Sequence, residues 1–314
     1  MKKELKSTRD GFGEGLLEAG IENENVVALS ADLTESTRTN LFADKFPERF
    51  IQVGVAEQNL ASVASGMAAM GKIPFMTSFA IFSPGRNWEQ IRTTIAYNNT
   101  NVKIASSHAG VVTGPDGGSH QMLEDIALMR VIPRMTVFSP ANFEEAKQMT
   151  LEAMRINGPV YLRLSRLPVQ NLDLQGLSFS SFEHQEDKFD YDETKVGIIA
   201  TGHLVHQAQQ ASLELEKEDI KTAVLNLSVI KPLDEKKILD FAKKFKALVT
   251  VEDHQLAGGM GSVVAEFLSQ HHPIKIEFVA VKDQFGQSGT AKELLRHYNL
   301  DSIAIKEAVY KITR

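Results

Sequence analysis

The chain has no cysteine among its 314 residues. Disulfides and thiolate metal sites are therefore excluded, while the redox compartment stays open, because a cysteine-free chain suits any of them. It also lacks any Lys/Arg-rich run or basic helix and carries a net charge of −6. Neither nucleic acid nor an anionic membrane is an expected partner. No apolar run reaches the roughly 20 residues that span a bilayer, and the polar start MKKELKSTRDGFGEG holds no signal-peptide core. A cytoplasmic location is the expectation. Both common nucleotide fingerprints, G-x-G-x-x-G and G-x-x-x-x-G-K-[ST], are absent as well.

What is present is an ordinary globular composition, 43% hydrophobic and 24% charged, with a length that predicts about two domains. Apolar spacing predicts a helix over 8–19, and short apolar runs predict strands over 26–30, 73–78, 102–107, 136–139 and 160–164. Helices are expected to start near residue 57 and to cover 87–98, 122–129 and 143–156. Such alternation argues for a doubly wound, mostly parallel α/β sheet. The pattern breaks over 167–194, read as an interdomain crossing with one strand, and a second α/β unit follows. Its strands are expected at 196–201, 222–226, 247–251 and, last, 274–280; its helices at 205–216, 235–243 and 262–269. The expected division is a domain over 1–170, a linker over 171–193 and a domain over 194–314. In the second unit only Glu252, Asp253 and His254 bring charge together. It is read as a unit for assembly.

The first half holds the candidate chemistry. In FIQVGVAEQNLASVASGMAAMG, residues 50–71, Glu57 is the only charged side chain, set at the head of an apolar helix. Two readings stay open there: a solvated first-turn acid, or a buried carboxyl whose charge the helix dipole favours and the apolar surroundings oppose. Asp32, Thr34 and Ser36 follow a strand end, where side chains either cap a helix or meet a ligand. Phe79 and Phe82 are core rings or a ring-binding platform. The glycine-rich loop HAGVVTGPDGGSHQ, 108–121, offers His108, Asp116 and His120 for hydrogen bonds to a hydroxylated ligand, for solvent or, less in keeping with common ligand spacing, for a metal. Arg166 at another strand end suits a phosphate or carboxylate, or a surface ion pair.

At VGVAEQN, SFAIF, HAGVVTGPDGGSHQ and RLSR the sequence resembles the transketolase family of thiamine diphosphate enzymes. The resemblance spans nearly the whole chain, with the motifs in order, and it implies the pyrimidine-binding and C-terminal domains of that family. The family's diphosphate and magnesium signature, Gly-Asp-Gly with a downstream asparagine pair, is absent, and Asn98–Asn99 is read as a helix end. The resemblance thus implies one subunit of a split enzyme, with the diphosphate and Mg2+ held by a separate N-terminal subunit in a two-plus-two heterotetramer. It also implies a two-carbon ketol transfer between sugar phosphates. Glu57 would bond the pyrimidine, Phe82 stack on it, Phe79 line its pocket and Asp32 lie near the cofactor at the subunit interface. His108, Asp116 and His120 would contact the sugar, with His120 relaying protons, and Arg9, Ser36 and Arg166 would hold the terminal phosphate. Where family members carry a tyrosine three residues after the second Phe, this chain has Gly85. The small residues Ala61, Ala64, Ser65 and Ala68 suggest a helix face for that interface. Alternatives are a 1-deoxyxylulose 5-phosphate synthase-like or 2-oxoacid dehydrogenase beta-like subunit, and a non-catalytic subunit of the same fold.

Overall fold

The computed structural model describes residues 5–170 and 196–313, so the linker expected over 171–193 lies outside the described residues. The first half runs β1 (Leu5–Lys6), α1 (Thr8–Glu22), β2 (Val26–Ser30), α2 (Asn40–Lys45), β3 (Phe50–Gln52), α3 (Glu57–Ala69) and β4 (Ile73–Phe79). It continues through α4 (Trp88–Gln90), β5 (Lys103–Ser107), α5 (Asp125–Arg130), β6 (Thr136–Phe138), α6 (Phe143–Arg155), β7 (Val160–Arg163) and β8 (Val169–Gln170). A capping box starts α1: the Ser7 side chain accepts from the Asp10 backbone N–H, and the Asp10 carboxylate accepts from that of Ser7. Strands β2, β5 and β7 are buried at every residue. Sheets covered on both faces demand such unbroken runs.

The second half contributes β9 (Val196–Ala200), α7 (Val205–Glu216), β10 (Thr222–Asn226), β11 (Val229–Lys231), α8 (Glu235–Ala242) and β12 (Ala247–Gln255). It ends with α9 (Met260–His271), β13 (Lys275–Val281), α10 (Ala291–His297) and α11 (Ser302–Thr313). Its own sheet is parallel, in the order β10-β9-β12-β13. The larger sheet has the order β11-β6-β7-β5-β4-β2-β3, parallel except for β11, which pairs antiparallel with β6. A strand of the second half therefore completes the sheet of the first. In the larger sheet the chain steps from β2 outward to β3 and then returns to the other side of β2 with β4. Ligands of open α/β sheets gather at the carboxyl ends beside such a switch.

Both sheets are of the expected α/β type, and several local expectations are corrected. The helix expected over 87–98 is a short α-turn followed by π-helical backbone, Ile91–Ala96. Hydroxyls enter its carbonyl ladder: Ser65 donates to the Thr94 carbonyl at 2.7 Å and Thr94 to that of Gln90 at 2.6 Å. The helix expected from 122 starts only at Asp125. Strand β11 and helices α10 and α11 were not anticipated. The small residues of α3 do not form a free face, since Ala61, Ala64 and Ser65 are buried within the chain's own core. Outward face Gln58, Asn59, Ser62, Gly66 and Ala69 instead.

Candidate active site

Helix α3 begins at Glu57, and the side chain turns inward, only 2% exposed. That observation removes the solvated-acid reading. Arg86 donates from Nη1 to Glu57 Oε2 at 2.9 Å, and Asn87 donates to the Glu57 backbone carbonyl at 2.9 Å. The Arg86 guanidinium also lies over the Phe82 ring, 4.8 Å from its centre. One cation thus serves a buried carboxylate and an aromatic face together. Gly85 is fixed by its backbone: a Cβ there would stand 2.0 Å from the Ile81 carbonyl oxygen. A tyrosine at this position would require the turn to be rebuilt.

Beside Glu57 the two phenylalanines form a platform. The rings of Phe79 and Phe82 are nearly parallel, 6.1 Å apart and 14° from coplanar. His108 stacks on Phe79 at 3.7 Å, and His120 meets both rings edge-on, at 6.4 and 5.5 Å. Each imidazole is oriented by the preceding serine: Ser107 Oγ lies 2.8 Å from His108 Nδ1, and Ser119 Oγ 3.0 Å from His120 Nδ1. Burial, followed by the charges of Arg9 and Arg166, lowers the His108 pKa to about 3. Its ring is neutral at ordinary pH.

The third group is cationic. Arg9 donates to the Ser36 carbonyl at 2.9 Å, while its buried Nε has no partner. Burial and then the nearby Arg38 lower the Arg9 pKa, Arg166 adding to the effect. Arg166 pairs with Asp116 at 3.1 Å and donates to the Thr113 carbonyl at 3.1 Å. Arg38 pairs with Asp10 at 2.6 Å. Guanidiniums gathered in this way, one of them with an unpartnered buried nitrogen, suit an oxyanion. Asp32 is exposed just beyond β2, with positive φ, and its N–H donates to Gln52 Oε1 at 2.7 Å. Among the described residues no hydrogen bond or ion pair joins it to Glu57. No group of three or more metal-ligating side chains with the geometry of a metal site occurs among them either.

Sequence reasoning missed Arg38, Arg86 and Asn87. Arg38 stands two residues after Ser36, a local signal that was available. Arg86 meets Glu57 across 29 residues, and nothing local marks it.

Residues 4–171 match the family described as transketolase, pyrimidine binding domain, and residues 187–305 match the transketolase C-terminal domain. The chain belongs to the transketolase family. It is 42% identical over 305 residues to a Methanocaldococcus jannaschii protein described as a transketolase C-terminal section, covering 97% of this chain and 95% of that one. It is 36% identical to a 6-deoxy-6-sulfo-D-fructose transketolase subunit of Clostridium sp. (strain MSTE9), over 100% of this chain and 96% of that one. Among solved structures, a split gene transketolase described as an inactive β4 tetramer superimposes with a TM-score of 0.85 at 40% identity, covering 98% of each chain. Transketolases depend on thiamine diphosphate, and the site residues fit its pyrimidine half. Glu57 offers a buried carboxylate acceptor, and the stacked Phe79–Phe82 pair beside it offers a flat apolar wall.

Proposed function

We propose that this chain is the C-terminal subunit of a split transketolase, moving a two-carbon ketol unit from a ketose to an aldose that each carry an anionic end group. The observation that carries this reading is the buried carboxylate of Glu57 at the head of α3, beside the Phe79–Phe82 platform. Thiamine diphosphate, when bound, supplies the carbon nucleophile and electron sink that amino-acid side chains lack.

The residues of this chain do the rest. Glu57 would bond a ring nitrogen of the bound pyrimidine and hold a proton there. Phe82 supplies the stacking face, Phe79 lines the pocket, and Asp32 lies at its edge toward the partner. His120 moves protons to and from the sugar oxygens, with neutral His108 and Asp116 bonding its hydroxyls. Arg9, Ser36, Arg166 and the added Arg38 hold the anionic end. Arg86 and His120 form the wall that Gly85 leaves open. A phosphate is the reading for the end group; a sulfonate, present in the substrate named for the Clostridium relative, has the same tetrahedral oxyanion chemistry.

The diphosphate and Mg2+ belong to a separate N-terminal subunit in this reading, and two copies of each chain form the active assembly. The solved relative's β4 tetramer supports self-association of this chain without that partner. The proposed division is a pyrimidine-binding domain over 1–170, a linker over 171–193 and a C-terminal domain over 194–314. Glu57→Gln tests the assignment: the variant is expected to fold and assemble with its partner yet lose at least about 100-fold in turnover. Near-normal turnover removes Glu57 from the mechanism. A panel of ketose phosphates and 6-sulfo ketoses, assayed with the parent complex, identifies the end group.

A further inference from the structure

Among the described residues the second α/β unit contributes no side chain to the Glu57 cluster, yet it grips the loop 108–121 at two points. At the root, Asp253 near the end of β12 is 1% exposed, and its Oδ1 accepts from the Val111 N–H at 3.0 Å. Gly110 lies so close that a Cβ there would stand 2.0 Å from Asp253 Oδ2, and its φ is +86°. Asp253 is itself anchored. Arg163 donates to its backbone carbonyl at 2.7 Å, and His203 Nε2 lies 3.3 Å from Oδ2 without hydrogen-bond alignment. Arg163 is held in turn by Asp125 at 2.8 Å, which also accepts from the Tyr161 hydroxyl at 2.7 Å. The chain of buried contacts crosses from one sheet to the other.

At the tip, the segment after β13 lies against the loop's glycines. A Cβ on Gly118 would stand 2.4 Å from the Gly286 carbonyl oxygen, and one on Gly286 would stand 1.7 Å from Gln121 Oε1. Buried Gln121 donates from Nε2 to the Val111 carbonyl at 3.0 Å and to the Gln287 carbonyl at 2.9 Å. It thereby ties the root of the loop, its own end and the second unit together. Between root and tip lie Thr113, whose hydroxyl donates to the His108 carbonyl at 2.7 Å, and Asp116. A loop fixed at both ends by buried polar contacts keeps its side chains in one geometry.

We infer that the C-terminal unit is a clamp on the sugar-facing loop: Asp253, through Val111, and the Gly286–Gln287 backbone, through Gln121, are positioning elements for His108, Asp116 and His120. The inference rests on the proposed function for what the loop touches, but not for the clamp itself.

Three variants of the full chain test it. In Asp253→Ala, amide hydrogen exchange across 110–121 is expected to quicken at least tenfold, with β2 and β4 unchanged. Asp253→Asn keeps an oxygen acceptor for Val111 and is expected to restore most of that protection. Gly286→Ala leaves the Asp253 cluster intact and acts through Gln121. It is expected to quicken exchange at 117–121 and, in the complex with the diphosphate-binding subunit, to raise KM for the ketose donor at least fivefold. Thiamine diphosphate affinity is expected to stay within twofold of the parent, because Glu57 and Phe82 lie on other elements. Unchanged exchange across 110–121 in Asp253→Ala and Gly286→Ala overturns the clamp, and so does a cofactor affinity that falls in step with KM. Should the parent complex show no ketol transfer, the functional reading fails while the exchange measurements still decide the clamp.

Discussion

In the larger sheet, the carboxyl ends of β2, β4, β5 and β7 lead to Asp32, Phe79, His108 and Arg166, and several of these retain capacity for a ligand. In the smaller sheet, the corresponding end of β12 carries Glu252, Asp253 and His254, all buried. Those three are turned onto the protein itself. Glu252 accepts from the backbone N–H groups of Met260 and Gly261 at 2.6 and 2.9 Å, closing the start of α9. His254 Nδ1 meets the Gln255 carbonyl at 2.7 Å, and Asp253 holds the loop. Burial opposes the charge of Asp253, but His203, Arg163 and the Val111 N–H outweigh it and keep the carboxyl below its ordinary range. The same fold position thus carries the candidate ligand site in one sheet and grips the neighbouring loop in the other. What separates them is partner supply: buried carboxylates need donors, and Glu252 and Asp253 accept from backbone N–H groups of the protein, whereas the Glu57 carboxylate meets the half-exposed Arg86.

That contrast can be broken at graded points. The largest expected effect is that of Glu57→Gln, at least about 100-fold in turnover. Arg166→Ala is expected to raise KM for phosphorylated sugars by about tenfold or more while turnover changes less, since an oxyanion clamp contributes mainly binding. An unchanged KM would return Arg166 to a surface ion pair with Asp116. Arg86→Ala is expected to cost roughly tenfold or less in activity, because Arg86 is 51% exposed and water can replace much of what it gives Glu57. A loss as large as that of Glu57→Gln would instead make Arg86 part of the acid–base apparatus.

The smallest effect is on stability. His108 titrates near pH 3 in the folded chain, against an ordinary value of 6.5. Between those limits the unfolded chain binds more protons, so stability rises with pH through the window and falls as pH drops toward 3. Urea midpoints measured at pH 4.5, 5.5 and 6.5 are expected to rise more steeply for the parent than for His108→Gln. Equal slopes would mean that the imidazole is not desolvated as described.

The central strands of both sheets were legible because unbroken apolar runs such as VVALS and VYLRL leave few alternatives once length is considered. Helix α10 was also legible in principle, since Thr290 and Glu293 form a capping box. The π-helical segment was not, because its cause includes a hydroxyl on another helix, Ser65. Strand β11, three residues long, carries too little pattern to be read at all.

The candidate site divides in the same way. Glu57, the phenylalanines, the histidine loop and Arg166 announce themselves through unusual residue types in apolar or glycine-rich settings. Whether Glu57 faced solvent or the interior depended on packing, which local sequence does not encode. Arg86 escaped notice because its partner is 29 residues away, and Asp253, though marked as part of a charged cluster, gave no sign of its contact with Val111, 142 residues away. The second half was accordingly read as a unit for assembly, and its direct grip on the loop was missed.

The most direct measurement compares two-carbon transfer from a ketose phosphate to an aldose phosphate by the purified chain alone and by its complex with the diphosphate-binding polypeptide copurified from the source cell. Poor thiamine diphosphate binding and no transfer are expected from the chain alone, with both gained in the complex. Robust transfer by the isolated chain would contradict a site divided between two subunits.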